Sequence, residues 1–541
     1  MSGLQDLLYF PSVSTFSCKS YEYPLTSQFY STPLSDGPAH LPFQRPNPKC
    51  RTFTSPLVEK VIDDLNTRMT DKDLARIFEN AFPNTLDTTV RWHVDGTQAK
   101  KKQVRQDNGA WQGAQSFIVT GDINAEWLRD STNQLAQYQP LAKKDKNIHN
   151  LILGAINTQA EFVIGSPYCN AFQPPAPSKQ PPVGDGQTSD TVHPVYEPTF
   201  VFECKYELDS LAAFLSLTNQ FYNHTGSTEF LTSRWYTALD TLLQVLDHQS
   251  EPTFDPKTGA WDRNEYTFQR QTNIGTETLN LGGIGNPLNS GTGLIRSAFR
   301  PSDDASILGY FIPANAMMAV ELMRTSMLLK GAGRTALAAN LSSRADTLRK
   351  GIWDNGVFQH PKFGRVFAYE IDGYGGRIFM DDANLPSLLS LPLLGFVDVN
   401  DETYQNTRKM ILSQQGNPYY LKGPEFQGIG GPHIGLQNAW PMSLLVQAMT
   451  SDNDDEITQC VELVKKSCPL GLVHESINVN NVNDYTSKLG NTMNTLTCAD
   501  PSSGSWFAWA NSVYAQAILD LARRKPYLLF GKGAVPYDIE A

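Results

Sequence analysis

The chain has 541 residues, of which 40% are apolar, 11% aromatic and only 18% charged; it can bury a large core and does not have the profile of a disordered chain. A formal net charge of −11, with no basic run denser than the three lysines at 100 to 102, argues against nucleic acid as a partner. Nowhere do about 18 apolar residues run together, so no membrane span is expected.

In chain order, residues 1–53 are rich in Ser, Pro and Tyr without a helical period and read as an extended N-terminal arm. The opening "MSGLQDLLYFPSVSTF" has no basic segment, and its apolar run is broken by Pro11, which is not the pattern of a secretory leader. Helical periodicity begins in "SPLVEKVIDDLNTRM", with Ser55 as N-cap and Pro56 at the first helical position. It recurs over roughly 143–165, "YELDSLAAFLSL", 227–247, 314–330, 334–351, 401–414, 436–450, 453–467 and "AWANSVYAQAILDLARRKP". Strand-like pieces are fewer: "TTVRWHV", "QSFIVTG", "EYTFQRQ" and "GRVFAYEIDGYGGRIFM". The Pro-rich interval 171–192 reads as a long surface loop, and seven cysteines suggest neither a disulfide scaffold nor a CxxC metal pattern. The fold expected is all-α dominated: helical hairpins in a closed ring, a few short strands in the loops, and residues 54–541 as one domain.

Six polar clusters interrupt the helices: "GDINAEWLRDS", "GLIRSAFRPSDDA", "YEIDGYGGRIFMDDANLP", "KGPEFQGIGGPHIGLQNAWP", "GLVHESINVNN" and "SWFAWANS". Each mixes acid, amide, aromatic and glycine, the mixture a neutral polyol requires. Carboxylates and amides exchange hydrogen bonds with hydroxyls, aromatic faces cover C–H patches, and glycine lets backbone come close. Each cluster also has a structural reading. Asp303 and Asp304 suit the first turn of a following helix, as do Asp381 and Asp382. Glu126, Arg129 and Asp130 have ion-pair spacing on a helix. His433 and His474 lack a second His at ligand spacing, and the tryptophans 440, 506 and 509 suit a core. Glu475 has no such structural explanation.

The order and wording of these segments resemble glycoside hydrolase family 125, the exo-acting α-1,6-mannosidases, with the fungal members most similar. The resemblance runs from about 50 to 525 through "EWLRDS", "GLIRSAFRPSDDA", "FAYEIDGYGGRIFMDDANLPSLL", "GIGGPHIG", "HESI" and "SWFAWANS". It implies an (α/α)6 barrel, inversion at the anomeric carbon, no metal or other cofactor, and an α-mannoside oligosaccharide or glycan as partner. It also implies that the general acid is Asp303 or Asp304 and the general base Glu475. Inversion expects the two carboxyls roughly 6.5–9.5 Å apart, with room between for a water. Substrate contacts are expected from Trp127, Arg129, Asp130, Arg300, Asp372, Asp382, His433 and Trp509, with the loops 369–386 and 422–441 walling a pocket closed at one end. Fungal relatives imply the secretory route, against which the absence of a leader pattern stands, and the stretch after "HESI" departs from the shorter path of bacterial members. Three alternatives remain: a glucosidase- or trehalase-like inverting barrel, a calcium-dependent α-mannosidase, for which no EF-hand-type loop is present, and a catalytically inactive glycan-binding protein.

Overall fold

Ser55 starts the first long helix as its sequence predicts: its Oγ accepts from Val58 N–H at 3.2 Å, and Pro56 opens α1 (Pro56–Arg68). The computed structural model describes Cys18 and residues 31–97, 109–121, 123–184, 190–486 and 507–540. The first part of the arm, the lysines at 100–102, Asp122, Trp506 and most of the stretch from "HESI" to "SWFAWANS" lie outside the described residues.

The principal helices after α1 are α2 (Lys72–Ala81), α3 (Leu128–Ala136), α4 (Lys146–Gly165), α5 (Leu208–Thr225), α6 (Ser233–Gln249), α7 (Ile312–Gly331), α8 (Thr335–Asn355), α9 (Leu391–Leu394), α10 (Glu402–Ile411), α11 (Pro441–Met449), α12 (Asp454–Lys466) and α13 (Ala508–Arg524). Neither α2 nor α3 stood out in the sequence, because α2 is short and α3 carries the polar "RDSTNQ". Helix α3 packs on α13 and α5, α5 on α7, α7 on α9, and α11 on α13. A second layer lies against these, with α8 on α7, α12 on α11 and α2 on α13. The burial patterns separate the layers. Helix α5 is buried almost all round from Leu208 to Asn219, whereas α8 buries a stripe that includes Ala338, Leu341, Ala345, Leu348 and Ile352.

The described strands form small sheets of two or three; some fall in the four strand-like pieces read from the sequence, whereas others, such as Glu126–Trp127, Ala171–Phe172 and Tyr420–Lys422, were not foreseen. Three of them set up helix starts. Glu126–Trp127 runs straight into α3, Tyr310–Phe311 into α7, and Asn438–Ala439 lies just before α11. Each pairs with a strand from another loop, so loops far apart in sequence are tied where the inner helices begin.

The reading of 171–192 as a surface loop is corrected at both ends. Ala171–Phe172 is a buried strand between Glu126–Trp127 and Val201–Glu203, and Asp190–His193 pairs with Thr267–Arg270. The pull inward is covalent as well, since Cys169 is bonded to Cys204. A second disulfide joins Cys18 to Cys50, so the cysteines do staple the fold at two points, while Cys460 and Cys468 are buried thiols. Among the described residues no helix is long and apolar enough to cross a membrane.

Candidate active site

The step from strand to helix at Trp127–Leu128 explains why so polar a segment is buried. Glu126 points back into the core, where its Oε2 accepts from Ile118 N–H at 3.0 Å, and burial pushes its carboxyl up to about 8. It does not pair with Arg129, so the i, i+3 ion pair read from the sequence does not form; Arg129 pairs instead with its neighbour Asp130. Trp127 packs edge-on against Phe202, with ring centroids 5.5 Å apart. Arg129 and Asp130 then fall in the first turn of α3.

Arg129 is the hub of a buried carboxylate group. Its guanidinium lies 3.1 Å from Asp130, 2.5 Å from Glu207, 3.3 Å from Asp209 and 3.7 Å from Asp303, with Trp509 beneath it at 5.2 Å. Asn170 donates to Glu207 Oε1 and to Asp303 Oδ1, each at 3.2 Å. Four carboxyls around one cation in a dry site cannot all ionise cheaply. Accordingly, burial pushes Glu207 well above the ordinary carboxylate range and Asp209 up to about 6, with Arg129 opposing both shifts and Asp303 adding to both.

Asp303 and Asp304 sit in a tight turn, not in a helix, since the next helix starts at Ile312. The turn is closed by Asp303 N–H on Arg300 O at 2.9 Å and Arg300 N–H on Asp304 O at 2.8 Å. Asp303 takes φ +65°, a left-handed conformation unusual for a residue with a side chain. The two neighbours thereby face different partners. Asp304 accepts from Ser302 Oγ at 2.8 Å and lies 3.5 Å from His433 Nδ1. Burial pushes its carboxyl up, but His433, Arg300 and Ser302 together outweigh that and hold it below the usual range.

These groups converge on one partly enclosed cavity. Trp127, Arg129, Asp130, His433, Glu475 and Trp509, all named from sequence, line it. Pro301 and Ser302 bring the turn of Asp303 and Asp304 to the same wall. Thr120, Ile123, Asn384, Trp440 and Phe507 complete it, so both loops expected as walls contribute, through Asn384 and through His433 and Trp440.

Other expected residues stand behind or away from the cavity. Arg300 is buried and bonds Glu370 Oε1 at 2.6 Å, supporting the turn from behind. Asp382 is buried next to Gly431, where a Cβ would come 2.6 Å from its Oδ2, so only glycine lets the 430–433 backbone pass. Asp381 carries the structural role its position suggested, accepting from Leu388 and Leu389 N–H at 2.8 and 2.9 Å. Asp372 is not at the cavity; it accepts from Tyr374 and Gly376 N–H and shapes a turn. His474 stacks on Tyr485 with centroids 3.7 Å apart.

Sequence reasoning missed Glu207, Asp209 and Asn170. Glu207 stands at the N-cap of α5, where an acid looks explained, yet its side chain makes no cap hydrogen bond. A usable signal was the pair Cys169 and Cys204, which flank Asn170 and the Glu207 segment.

The profile of the family described as metal-independent α-mannosidase, GH125, matches residues 71–519. The chain belongs to glycoside hydrolase family 125. It is therefore a glycoside hydrolase of an α-mannosidase family. The meiotically up-regulated gene 157 protein of Schizosaccharomyces pombe is 52% identical over 520 residues, covering 96% of this chain and 94% of that protein. A Streptococcus pneumoniae metal-independent α-mannosidase, solved in a non-productive substrate complex with α-1,6-mannobiose, superposes with a TM-score of 0.72 at 29% identity, covering 87% of this chain and 99% of that one. A trehalase of Sulfolobus acidocaldarius is 26% identical over only 32% of this chain. Among the described residues no group of three or more His, Cys, Asp and Glu is placed to hold a metal ion.

Proposed function

We propose that this GH125 chain is an inverting, exo-acting α-1,6-mannosidase that removes terminal non-reducing mannose from N-glycan-type α-mannosides. The helix adjacencies around α13, α3, α5, α7, α9 and α11 favour closure into an (α/α)6 barrel with the cavity at the inner-helix starts. The observation that carries the reading is that Glu475 and Pro301–Ser302, which lead directly into Asp303 and Asp304, line one cavity, in a chain whose residues 71–519 match a metal-independent α-mannosidase family.

Of the two aspartates, Asp303 is the better general acid. Asp304 is held ionised by His433, Arg300 and Ser302, whereas Asp303 is hydrogen-bonded to Glu207, whose raised carboxyl can supply it with a proton. In the reaction, Asp303 gives its proton to the glycosidic oxygen as the C1–O bond breaks. A water on the opposite face attacks C1 while Glu475 takes its proton, and the released mannose carries a hydroxyl in β configuration. The two carboxyls then exchange protons with solvent to restore the starting states. Arg129 and Asp130 offer donors and acceptors side by side for adjacent sugar hydroxyls, and Trp127, Trp440 and Trp509 supply aromatic faces. The two disulfides favour an oxidising compartment such as the secretory route.

Proton NMR of the first sugar released from α-1,6-mannobiose tests substrate, direction and stereochemistry together. β-Mannose as the initial product is expected. α-Mannose first would rule out inversion, and activity on α-glucosides but not mannosides would rule out the substrate.

A further inference from the structure

Four arginines are buried among the described residues, and three of them have carboxylate partners. Arg45 bonds Asp87 and Glu59, Arg129 its four acids, and Arg300 Glu370. Arg296 is the exception. It is 6% exposed, its Nε has no hydrogen-bond partner, and no carboxylate lies within ion-pair distance of its guanidinium among the described residues. A guanidinium cannot shed its proton to escape burial, so an uncompensated one marks a place where an anion is wanted.

The surroundings are built for one. Arg296 lines two adjoining cavities, neither of which shares a lining residue with the catalytic cavity. His248 and Arg263 line the larger one beside it, adding two more nitrogen donors. Asn264 is held in place by Gln249 Nε2, which bonds its Oδ1 at 2.9 Å, and Gln249 O accepts Arg296 N–H at 2.9 Å. The two acids at the same cavity, Glu251 and Asp262, are exposed; Glu251 acts on Arg296 only through space, and neither acid bonds it. One wall is apolar, formed by Ile284, Pro287 and the half-exposed indole of Trp261.

We propose that Arg296 anchors a second ligand site, lined separately from the catalytic cavity, that takes a phosphate-type oxyanion. Arg296 forms the bidentate contact, Arg263 adds a second cation, His248 adds a ring nitrogen, and Trp261 covers whatever the phosphate is attached to. The shared chemistry is the phosphate group, either free in solution or carried on a sugar, for which the indole is a stacking face.

The test is thermal unfolding and calorimetric titration of the full chain with inorganic phosphate and, separately, with a hexose phosphate, each against sodium chloride at equal ionic strength. For the wild type, phosphate raises the unfolding midpoint by about 2 °C or more at saturation. Arg296→Met abolishes that rise and weakens phosphate binding at least about tenfold. Arg263→Ala weakens it several-fold with mannoside hydrolysis unchanged, and reads the site even if Arg296→Met does not fold. Equal affinity for both probes assigns the site to the free ion; tighter binding of the hexose phosphate assigns it to a carried one. No stabilisation by either probe beyond that of chloride, or a response undiminished in both variants, overturns the proposal.

Discussion

Asp304 and Glu207 are both buried carboxyls, and their neighbours give them opposite tasks. Asp304 has an imidazole, a guanidinium and a hydroxyl around it and is held ionised, whereas Glu207 shares one cation with three other acids and keeps its proton. Protonation state here is set by partners several loops away, which is why the sequence left Asp303 and Asp304 equivalent. Glu475 is the residue on which the hydrolytic proposal depends most directly. An amide has the same shape but cannot take a proton from water, so Glu475→Gln is expected to lower turnover about 10²–10⁴-fold. Mannose binding and circular dichroism should stay near wild type. A Gln variant with normal kcat would move the base elsewhere.

Among the elements, the short strands do more positioning than their length suggests. Glu126–Trp127, Ala171–Phe172 and Val201–Glu203 make a three-stranded ribbon that sets the start of α3 against the start of α5. The Cys169–Cys204 disulfide crosses that ribbon beside Asn170, whose amide bridges Glu207 and Asp303. Cys169→Ser with Cys204→Ser is therefore expected to cost about 2–4 kcal/mol of stability. It should also lower kcat more than it raises KM, because the loosened bridge orients Asp303, the proposed acid, and not the sugar. Thermal unfolding and steady-state kinetics read the two effects separately, and a variant less stable but with unchanged kcat would confine the disulfide to the fold. None of this ribbon was legible in the interval 171–192, whose prolines and missing period describe its exposed middle. Long-range pairing leaves little trace in two-residue strands.

For the whole molecule, several carboxyls are buried with their protons. Burial pushes Glu126 and Asp381 up to about 8 and Asp209 up to about 6, from unfolded values near 4. The native state then binds more protons than the unfolded chain between these limits, so stability is full at low pH in that window and falls as pH rises through it. Each such proton contributes a slope of at most about 1.4 kcal/mol per pH unit. The unfolding midpoint is expected to drop between pH 5 and pH 8. Glu126→Gln, which mimics the protonated form, should flatten that decline; a midpoint that stays level or climbs in the wild type would mean these groups ionise in the fold.

What the sequence determined by itself was the helical character, the helix starts such as Ser55–Pro56, and most of the segments that line the cavity. Periodicity, capping and motif wording are local properties, and Trp127, Arg129, Asp130, His433, Glu475 and Trp509 were all found in this way. What only the tertiary structure decided was which of those segments share a cavity, that Arg300 and Asp382 stand behind it while Asp372 builds a turn, and that Glu207 and Asn170 join the carboxyl group around Arg129. These depend on distances between loops far apart in the chain and on the loss of water around them. Both are set by how the helices pack, and no short stretch of residues records either.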